Sequence, residues 1–371
     1  MPNLKTVLSV LLLSVCSAML VCAQAGPDTI TFTNGEKLAG HFVRSTPSSV
    51  TFKSDILGEL TIDWKNVREL DTSTKVAVIG KGVKLRRRQN TSGIPQGTLV
   101  ERDQQLQVTP SPGAQPVAVP LADSTVVIDQ AAFQKAMTRS AGLLADWTGQ
   151  VTAGATLVQA TQSNRTFNGA VALVRAEPAE DWMNPGYRTL INFSASYGQL
   201  TQPSTPTIKT SIYHAAAEQD QYFSSRLFAF GQADFDHNFS QGLLLQQTYN
   251  GGAGWTAIKS ARQQLDLRAS VSYIRQEFES GPSKNLIGSV FAEHYTRKLP
   301  HGAALDQAAS VTPAWNNTSA YSALFSALIT VPVYKQLSGS TGIVEAYLND
   351  PPPGFRKNSF QFTLGLTYSL K

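Results

Sequence analysis

Cysteine is almost absent. Its two occurrences, Cys16 and Cys22, both fall within the first 25 of 371 residues. That stretch has a basic start at Lys5, an apolar run over residues 7–21 and small residues at Ala23 and Ala25. It reads as a cleaved secretory signal. The exported chain is then expected to carry no thiol, which excludes disulfides and cysteine-containing metal sites from it. Lipid modification of Cys22 is disfavoured by the bulky Val21 before it. Long apolar runs are missing too. The run at 7–21 is shorter than the roughly 20 residues a spanning helix needs, and no later segment supplies one. An exported chain of this kind is either soluble or a membrane β-barrel. Mean hydropathy, −0.14, does not separate the two, because alternating strands average to neutrality. The formal net charge of +5 favours anionic surfaces and gives no argument for nucleic acid.

Recognisable reaction chemistry is also missing. The chain has no Gly-x-Ser-x-Gly nucleophile motif, no phosphate-binding loop of the Walker type and no His-Glu-x-x-His zinc motif. Five histidines, His41, His214, His237, His294 and His301, are scattered. The densest constellation is Asp234, Asp236, His237 and Asn238. It reads first as a polar turn between strands and second as the rim site of a lipase or protease.

What the chain does have is alternation. From residue 359 to the C-terminus, Phe360, Phe362, Leu364, Leu366, Tyr368 and Leu370 occupy one parity and Ser359, Gln361, Thr363, Gly365, Thr367 and Ser369 the other. Strand side chains alternate faces, so this segment has one apolar and one polar face, as a wall between lipid and a polar lumen requires. About twelve such segments begin near Trp147, Thr166, Arg188, Thr207, Tyr222, Gly242, Gln263, Asn285, Ala303, Tyr321, Thr341 and Asn358. If the first rises from the periplasm, the outer loops include 199–207, 279–284, 312–320 and 349–357, and inner turns fall at 218–220 and 299–302. Aromatics near strand ends, among them Trp147, Tyr187, Tyr197, Tyr273, Trp315, Tyr321 and Tyr368, suit interfacial girdles. Asp266 and Arg268 share the polar parity of their strand and are expected to face the lumen, either as part of a charge-selective constriction or as paired filling.

Before the barrel, residues 29–70 hold short β runs around an Asn34-Gly35 hairpin signal. They suggest a small SH3-like or Sm-like module at 27–71, with a second, related one at 72–129. Trp64, Val67 and Leu70 are expected to close its core. Residues 130–146 read as a helical linker. Lys84, Arg86, Arg87 and Arg88, with Lys81, form the sharpest basic run, a solvated surface or a contact for anionic headgroups.

This order, with Thr33-Asn34-Gly35-Glu36 and Gly58-Glu59-Leu60-Thr61 in front and Trp147-Thr148-Gly149-Gln150-Val151 through Asn164-Arg165-Thr166 at the barrel opening, resembles the YdiY-like, or salt-induced, outer membrane protein family, catalogued as domain of unknown function 481. The resemblance covers roughly residues 147–371. It implies an outer-membrane barrel and supplies no catalytic residues, cofactor or ligand. Thr363, Gly365, Tyr368 and Leu370 also resemble the C-terminal signal read by the barrel assembly machinery, without the usual terminal aromatic.

The expectation is therefore an all-β chain: an antiparallel transmembrane barrel of about 12 strands at 147–371, preceded by two periplasmic modules. Its partners are outer-membrane lipid, the assembly machinery and small polar solutes, with no nucleic acid, cofactor or metal. Its role is envelope structure or solute passage, and no enzymatic activity is expected. Two alternatives stand beside it, a barrel-borne hydrolase and a soluble exported β-sandwich binding protein.

Overall fold

The computed structural model describes residues 26–139, 142, 144–159, 163–201 and 206–370; the expected export signal, with both cysteines, and Lys371 lie outside these. The chain divides into two units, Met1–Arg139 and Ser140–Lys371.

In the first unit β1 (Asp28–Phe32), β2 (Lys37–Ser45), β3 (Ser49–Ser54), β4 (Gly58–Asp63) and β5 (Val67–Gly80) are followed by β6 (Gln96–Arg102), β7 (Gln105–Thr109), β8 (Val117–Pro120) and β9 (Ser124–Asp129). One pairing pattern occurs twice. β1 pairs with β2 and with the start of β5, β2 with β3, and β3 with β4. The end of β5 pairs with β6 and β9, β6 with β7, and β7 with β8. A short 3-10 turn precedes the fifth strand each time, at Trp64–Asn66 and Leu121–Asp123. Each fifth strand then pairs with the second strand of the other copy: Leu70 lies opposite Glu101, and Val127 opposite Ser45.

Residues 27–71 and 72–129, read from the sequence as two modules, thus lie in one sheet. β5 runs through their boundary, and each copy is closed by a strand of the other. A single apolar core follows, joining Phe52, Trp64 and Leu70 of the first copy to Leu99, Val108 and Val127 of the second. Asp28, fully buried, fixes the irregular midpoint of β5 by accepting hydrogen bonds from the backbone N–H groups of Ser73 (2.8 Å) and Thr74 (3.1 Å), and from that of Phe42 on β2 (2.7 Å). Among the described residues of the expected linker, Gln130–Thr138 form α1, which belongs to this unit. The Asp129 side chain caps it by accepting from the Ala132 N–H at 3.0 Å, and its apolar stripe, Phe133, Ala136 and Met137, is buried.

In the second unit the strands are β10 (Trp147–Gln159), β11 (Ser163–Glu177), β12 (Tyr187–Thr201), β13 (Ile208–Tyr222), β14 (Leu227–Asn238), β15 (Leu243–Lys259), β16 (Gln263–Phe278), β17 (Lys284–Lys298), β18 (Ala304–Pro313), β19 (Tyr321–Tyr334), β20 (Leu337–Leu348) and β21 (Asn358–Leu370). Among the described residues these twelve form a closed antiparallel barrel, each paired with the next and β10 with β21. Closure removes both sheet edges and overturns the two-sheet sandwich alternative.

The seam is the shortest strand pairing, from Gly149 opposite Leu370 to Ala153 opposite Leu366. It depends on glycine. A Cβ on Gly365 would meet the Ala153 carbonyl oxygen at 2.4 Å, and one on Gly154 the Leu364 carbonyl oxygen at 2.5 Å. Inside the wall the Oγ1 atoms of Thr152 and Thr367 bond across the seam at 2.8 Å.

Strand starts fall within one residue of the alternation except at the second, fifth and eleventh, and the fifth is furthest off. Tyr222 ends β13 rather than opening β14, and the turn lies at 223–226, where Ser224 Oγ accepts from the Leu227 N–H at 3.0 Å. The turn read at 218–220 is consequently an error: Glu218 and Asp220 are strand residues. Their charges, which suggested solvent, are neutralised inside the barrel.

Candidate functional site

Two rows of aromatics divide the outer wall into three zones. Toward the end where β10 begins, here the near end, lie Trp147, Tyr187, Trp255, Tyr295, Tyr334 and Tyr368; toward the opposite, far end lie Tyr197, Tyr213, Tyr249, Tyr273, Tyr321 and Tyr347. On β12 the distance from Tyr187 to Tyr197 is about 33 Å of strand, or about 25 Å of height at a typical barrel tilt. Between the rows the outward parity is mostly apolar, as at Val271, Phe291, Phe362 and Leu364, all exposed; Glu293, bonded to Gln307, and Glu345 are the acidic exceptions among the described residues.

The inward parity is polar. On β16, Asp266, Arg268, Ser270, Ser272 and Gln276 are buried while Leu267, Val271 and Tyr273 between them are exposed. Asp266 and Arg268 therefore face the lumen as expected, and they do not stand alone. Arg188 of β12 places Nε 2.7 Å from Asp220 Oδ2 and Nη1 2.9 Å from Asp266 Oδ2. Arg268 donates to Glu218 Oε1 from Nη2 at 3.0 Å and Nε at 3.2 Å. Thr256 Oγ1 donates to Asp266 Oδ1 at 2.8 Å. Both guanidinium groups lie over the Phe228 ring, at 5.4 and 5.7 Å, and Arg188 also over Tyr222 at 5.7 Å. Two arginines and three carboxylates from three strands thus fill the near end of the lumen on the β12–β16 side. Asp266 and Arg268 are thus members of a paired network rather than isolated charges. Arg188, Glu218 and Asp220 escaped the sequence reading because they are far apart in sequence; the polar parity of Arg188 with Asn192 and Ser194 was the available signal.

Toward the far end a second closure crosses the lumen. The turn between β14 and β15 sends Gln241 to the hairpin of β20 and β21, half-way round the barrel. Its Nε2 donates to the carbonyls of Lys357 (2.8 Å) and Ala346 (3.1 Å), and its Oε1 accepts from Asn238 Nδ2 (3.1 Å). Gly242, with φ +66°, receives the Phe355 ring where a Cβ would come within 2.8 Å of it. Beneath, Leu243, Phe278 and Leu348 form a buried apolar cluster. Lys284 Nζ binds Asp350 Oδ2 at 2.6 Å. None of this was legible, since contacts between loops leave no periodic trace.

Between the closures, His214 Nδ1 lies 2.7 Å from Asp236 Oδ1, and Asp234 accepts from Gln232 Nε2 at 2.7 Å. Beside them on β12, level with Ala216 and Asp234, Asn192 remains exposed although its parity is inward, so water reaches the lumen between the two closures.

The Asp234, Asp236, His237 and Asn238 constellation does not converge. These residues belong to β14 rather than to a turn, and parity sends the Asp234 and Asp236 side chains inward with Asn238. His237 faces outward, stacked on Tyr213 with ring centroids 5.4 Å apart. A triad of His237 with Asp236 is excluded by the wall between them.

The remaining expected residues are separate. Tyr368 and Leu370 project outward on β21, while Thr363 and Gly365 take the inward parity. Lys84, Arg86, Arg87 and Arg88 lie between β5 and β6, anchored by the buried Leu85; Lys84, Arg86 and Arg88 are exposed and Arg87 is half-buried. Among the described residues no three His, Cys, Asp or Glu side chains group as a metal site.

A family model described as "Protein of unknown function, DUF481" matches residues 151–370. No curated protein matches the chain. Among solved structures, the chain is similar to a bacterial polysaccharide outer membrane secretin (8% identity, 61% of this chain and 97% of that one, TM-score 0.32). It is also similar to the translocator domain of the autotransporter NalP from Neisseria meningitidis (9%, 60% and 87%, 0.32) and to the β domain of the Bordetella autotransporter BrkA (10%, 61% and 98%, 0.27).

Proposed function

The chain belongs to the family described as protein of unknown function, DUF481, and from its barrel we propose that it is an outer-membrane wall protein whose lumen passes small polar solutes only through a restricted, closable path. The supporting observation is the inversion of polarity across the wall. Exposed apolar side chains dominate a band about 25 Å tall between two aromatic rows, the height of a barrel's lipid belt, while most ionic side chains of the wall face inward. Helices and closed barrels are the structures that satisfy every backbone group in lipid, and this barrel is closed.

The near end, where the turns other than 178–186 are short, is proposed to face the periplasm, and the first unit is proposed to be periplasmic. Lys84, Arg86 and Arg88 of that unit are candidate contacts for anionic headgroups. With the ionic filling at one end and the Gln241 closure at the other, passage is confined to the water-exposed space beside Asn192, and the chain's first role is as envelope structure. Tyr368 and Leu370 with Gly365 are proposed as the element recognised by the assembly machinery.

Two measurements test this. Refolded in detergent, the protein should show heat-modifiable electrophoretic mobility; recovery of folded protein in the soluble periplasmic fraction instead refutes membrane insertion. In planar bilayers the wild type should give small, infrequent conductance steps. Steady large steps refute the closed lumen.

A further inference from the structure

We propose that Ser211 and His237, on the outer face of the wall, form a nucleophile and general base that cleave acyl esters of membrane lipids at the far-end rim. This rests on the membrane reading above.

The geometry begins with a bulge. β14 and β15 are in register up to Asp236 opposite Gln246 and again at Asn238 opposite Leu243, so His237 faces two residues, Leu244 and Leu245. β15 also skips Leu244 in its pairing with β16. Leu244 is left out of both ladders in an apolar, lipid-facing wall, where an unpaired carbonyl is costly. His237 Nδ1 lies 2.8 Å from that carbonyl. A carbonyl only accepts, so Nδ1 carries the proton, and in the neutral ring Nε2 presents its lone pair. Ser211 Oγ lies 2.9 Å from Nε2 and donates to it. A third group thus fixes the tautomer of a base that polarises a hydroxyl, which is the arrangement of an activated serine. Bulges commonly re-aim a side chain beside an active site.

Position gives the substrate class. Ser211 is registered opposite Tyr197 and His237 opposite Tyr213, both in the far-end aromatic row. Such rows mark headgroup level, the depth at which acyl ester carbonyls of lipids lie. Phe235, exposed two residues before His237 on the same face and toward the membrane centre, offers an apolar contact for the acyl chains. Lys209, exposed two residues before Ser211 on the same face, places a cation beside the ester for the developing oxyanion.

In the step itself Ser211 Oγ bonds to the ester carbonyl carbon as its proton passes to His237 Nε2. The carbon–oxygen bond to the lipid alcohol then breaks, and the alcohol leaves with that proton. Water, deprotonated by His237, releases the fatty acid and restores Ser211.

The full-length protein, folded in detergent micelles, should react with a long-chain fluorophosphonate at Ser211, located by peptide mass spectrometry. Ser211→Ala should abolish the label, and His237→Gln should slow it about 10²-fold or more. Ser289→Ala, at an outward serine opposite Val271 with no histidine beside it, should leave it unchanged. Phospholipid vesicles should release fatty acid with the same ranking. No label on wild type of native heat-modifiable mobility, or equal labelling of His237→Gln, overturns the proposal and leaves the pair as a cap for the Leu244 carbonyl. Loss of heat-modifiable mobility in wild type would instead fail the membrane reading, whatever the label shows.

Discussion

On β3, Val50 and Phe52 are fully buried and Lys53 between neighbours is exposed; on β21, Phe360, Phe362 and Leu364 are exposed while Ser359 and Thr367 are buried. Both strands alternate with period two, and an apolar parity is present in each. The first unit directs it into a water-free core; the barrel directs it outward and gathers charge inside. Alternation therefore specifies a strand with two faces and leaves open which face meets the protein. Two neighbouring facts decide it. The first unit has enough strands in a short length to stack its faces on each other, whereas the twelve long strands close on themselves and leave their apolar parity no inner surface to pack against.

The sharpest way to break this contrast is Arg188→Ala. It would leave Asp220 and Asp266 buried without the cation that Arg188 sets at 2.7 and 2.9 Å. Losing one partner of a buried pair costs about 3–5 kcal/mol, and the variant should unfold at distinctly lower urea in lipid vesicles. A double change that also replaces Asp220 with Asn should recover part of the loss. Next, Leu364→Arg places a cation in the lipid-facing belt, at a cost of about 2–4 kcal/mol near the bilayer midplane. It should lower the yield of heat-modifiable barrel, whereas Lys53→Arg on the exposed face of β3 should leave stability within about 0.5 kcal/mol. The same residue type is tolerated on one exposed face and rejected on the other, because one meets water and the other lipid.

A smaller effect is expected from Gln241→Ala. It removes the two donations to Lys357 and Ala346, at about 1–3 kcal/mol for the carbonyls left unpaired, and should raise the frequency of conductance steps in planar bilayers. Unchanged conductance with an unchanged fold would show that the closure resides in the apolar cluster of Leu243, Phe278 and Leu348 alone.

The wall was legible in the sequence because it is written in parity. The count of twelve, the girdle tyrosines and the inward side of Asp266 and Arg268 all follow from period two. Legibility failed where structure depends on distance along the barrel. Glu218 and Asp220 resembled a turn because nothing local reveals that Arg188 and Arg268 neutralise them. His237 looked like a neighbour of Asp236 because they are adjacent in sequence, yet adjacency in a strand means opposite faces, and its true partners, Ser211 and the Leu244 carbonyl, are brought in by another strand and a bulge. In the first unit, the recurrence of short strands suggested two modules, but the exchange of fifth strands that binds them is a matter of pairing, to which composition is blind.

The mildest test concerns the second of the first unit's two buried acids among the described residues, Asp28 being the other. Glu101 is buried opposite Leu70, where the first copy's fifth strand meets the second copy. Burial raises its carboxyl from 4.5 to about 7, Asp103 and Glu69 add to the rise, and the Gln104 N–H opposes it. The corresponding place in the first copy, opposite Val127, holds Ser45, also buried. Folding therefore favours protonated Glu101. Its contribution is fully present below the ordinary carboxyl range, near pH 4.5, and is lost as pH rises through about 7. After allowance for screening by nearby water the loss is on the order of 1–2 kcal/mol. Hydrogen-exchange protection of β6 and β7 in the full-length protein, corrected for intrinsic rates, should fall between pH 5 and pH 8 in wild type and stay level in Glu101→Gln. Such a dependence belongs to a core that excludes charge; if the wild-type protection is flat, Glu101 is hydrated and the contrast between the two interiors is narrower than their burial suggests.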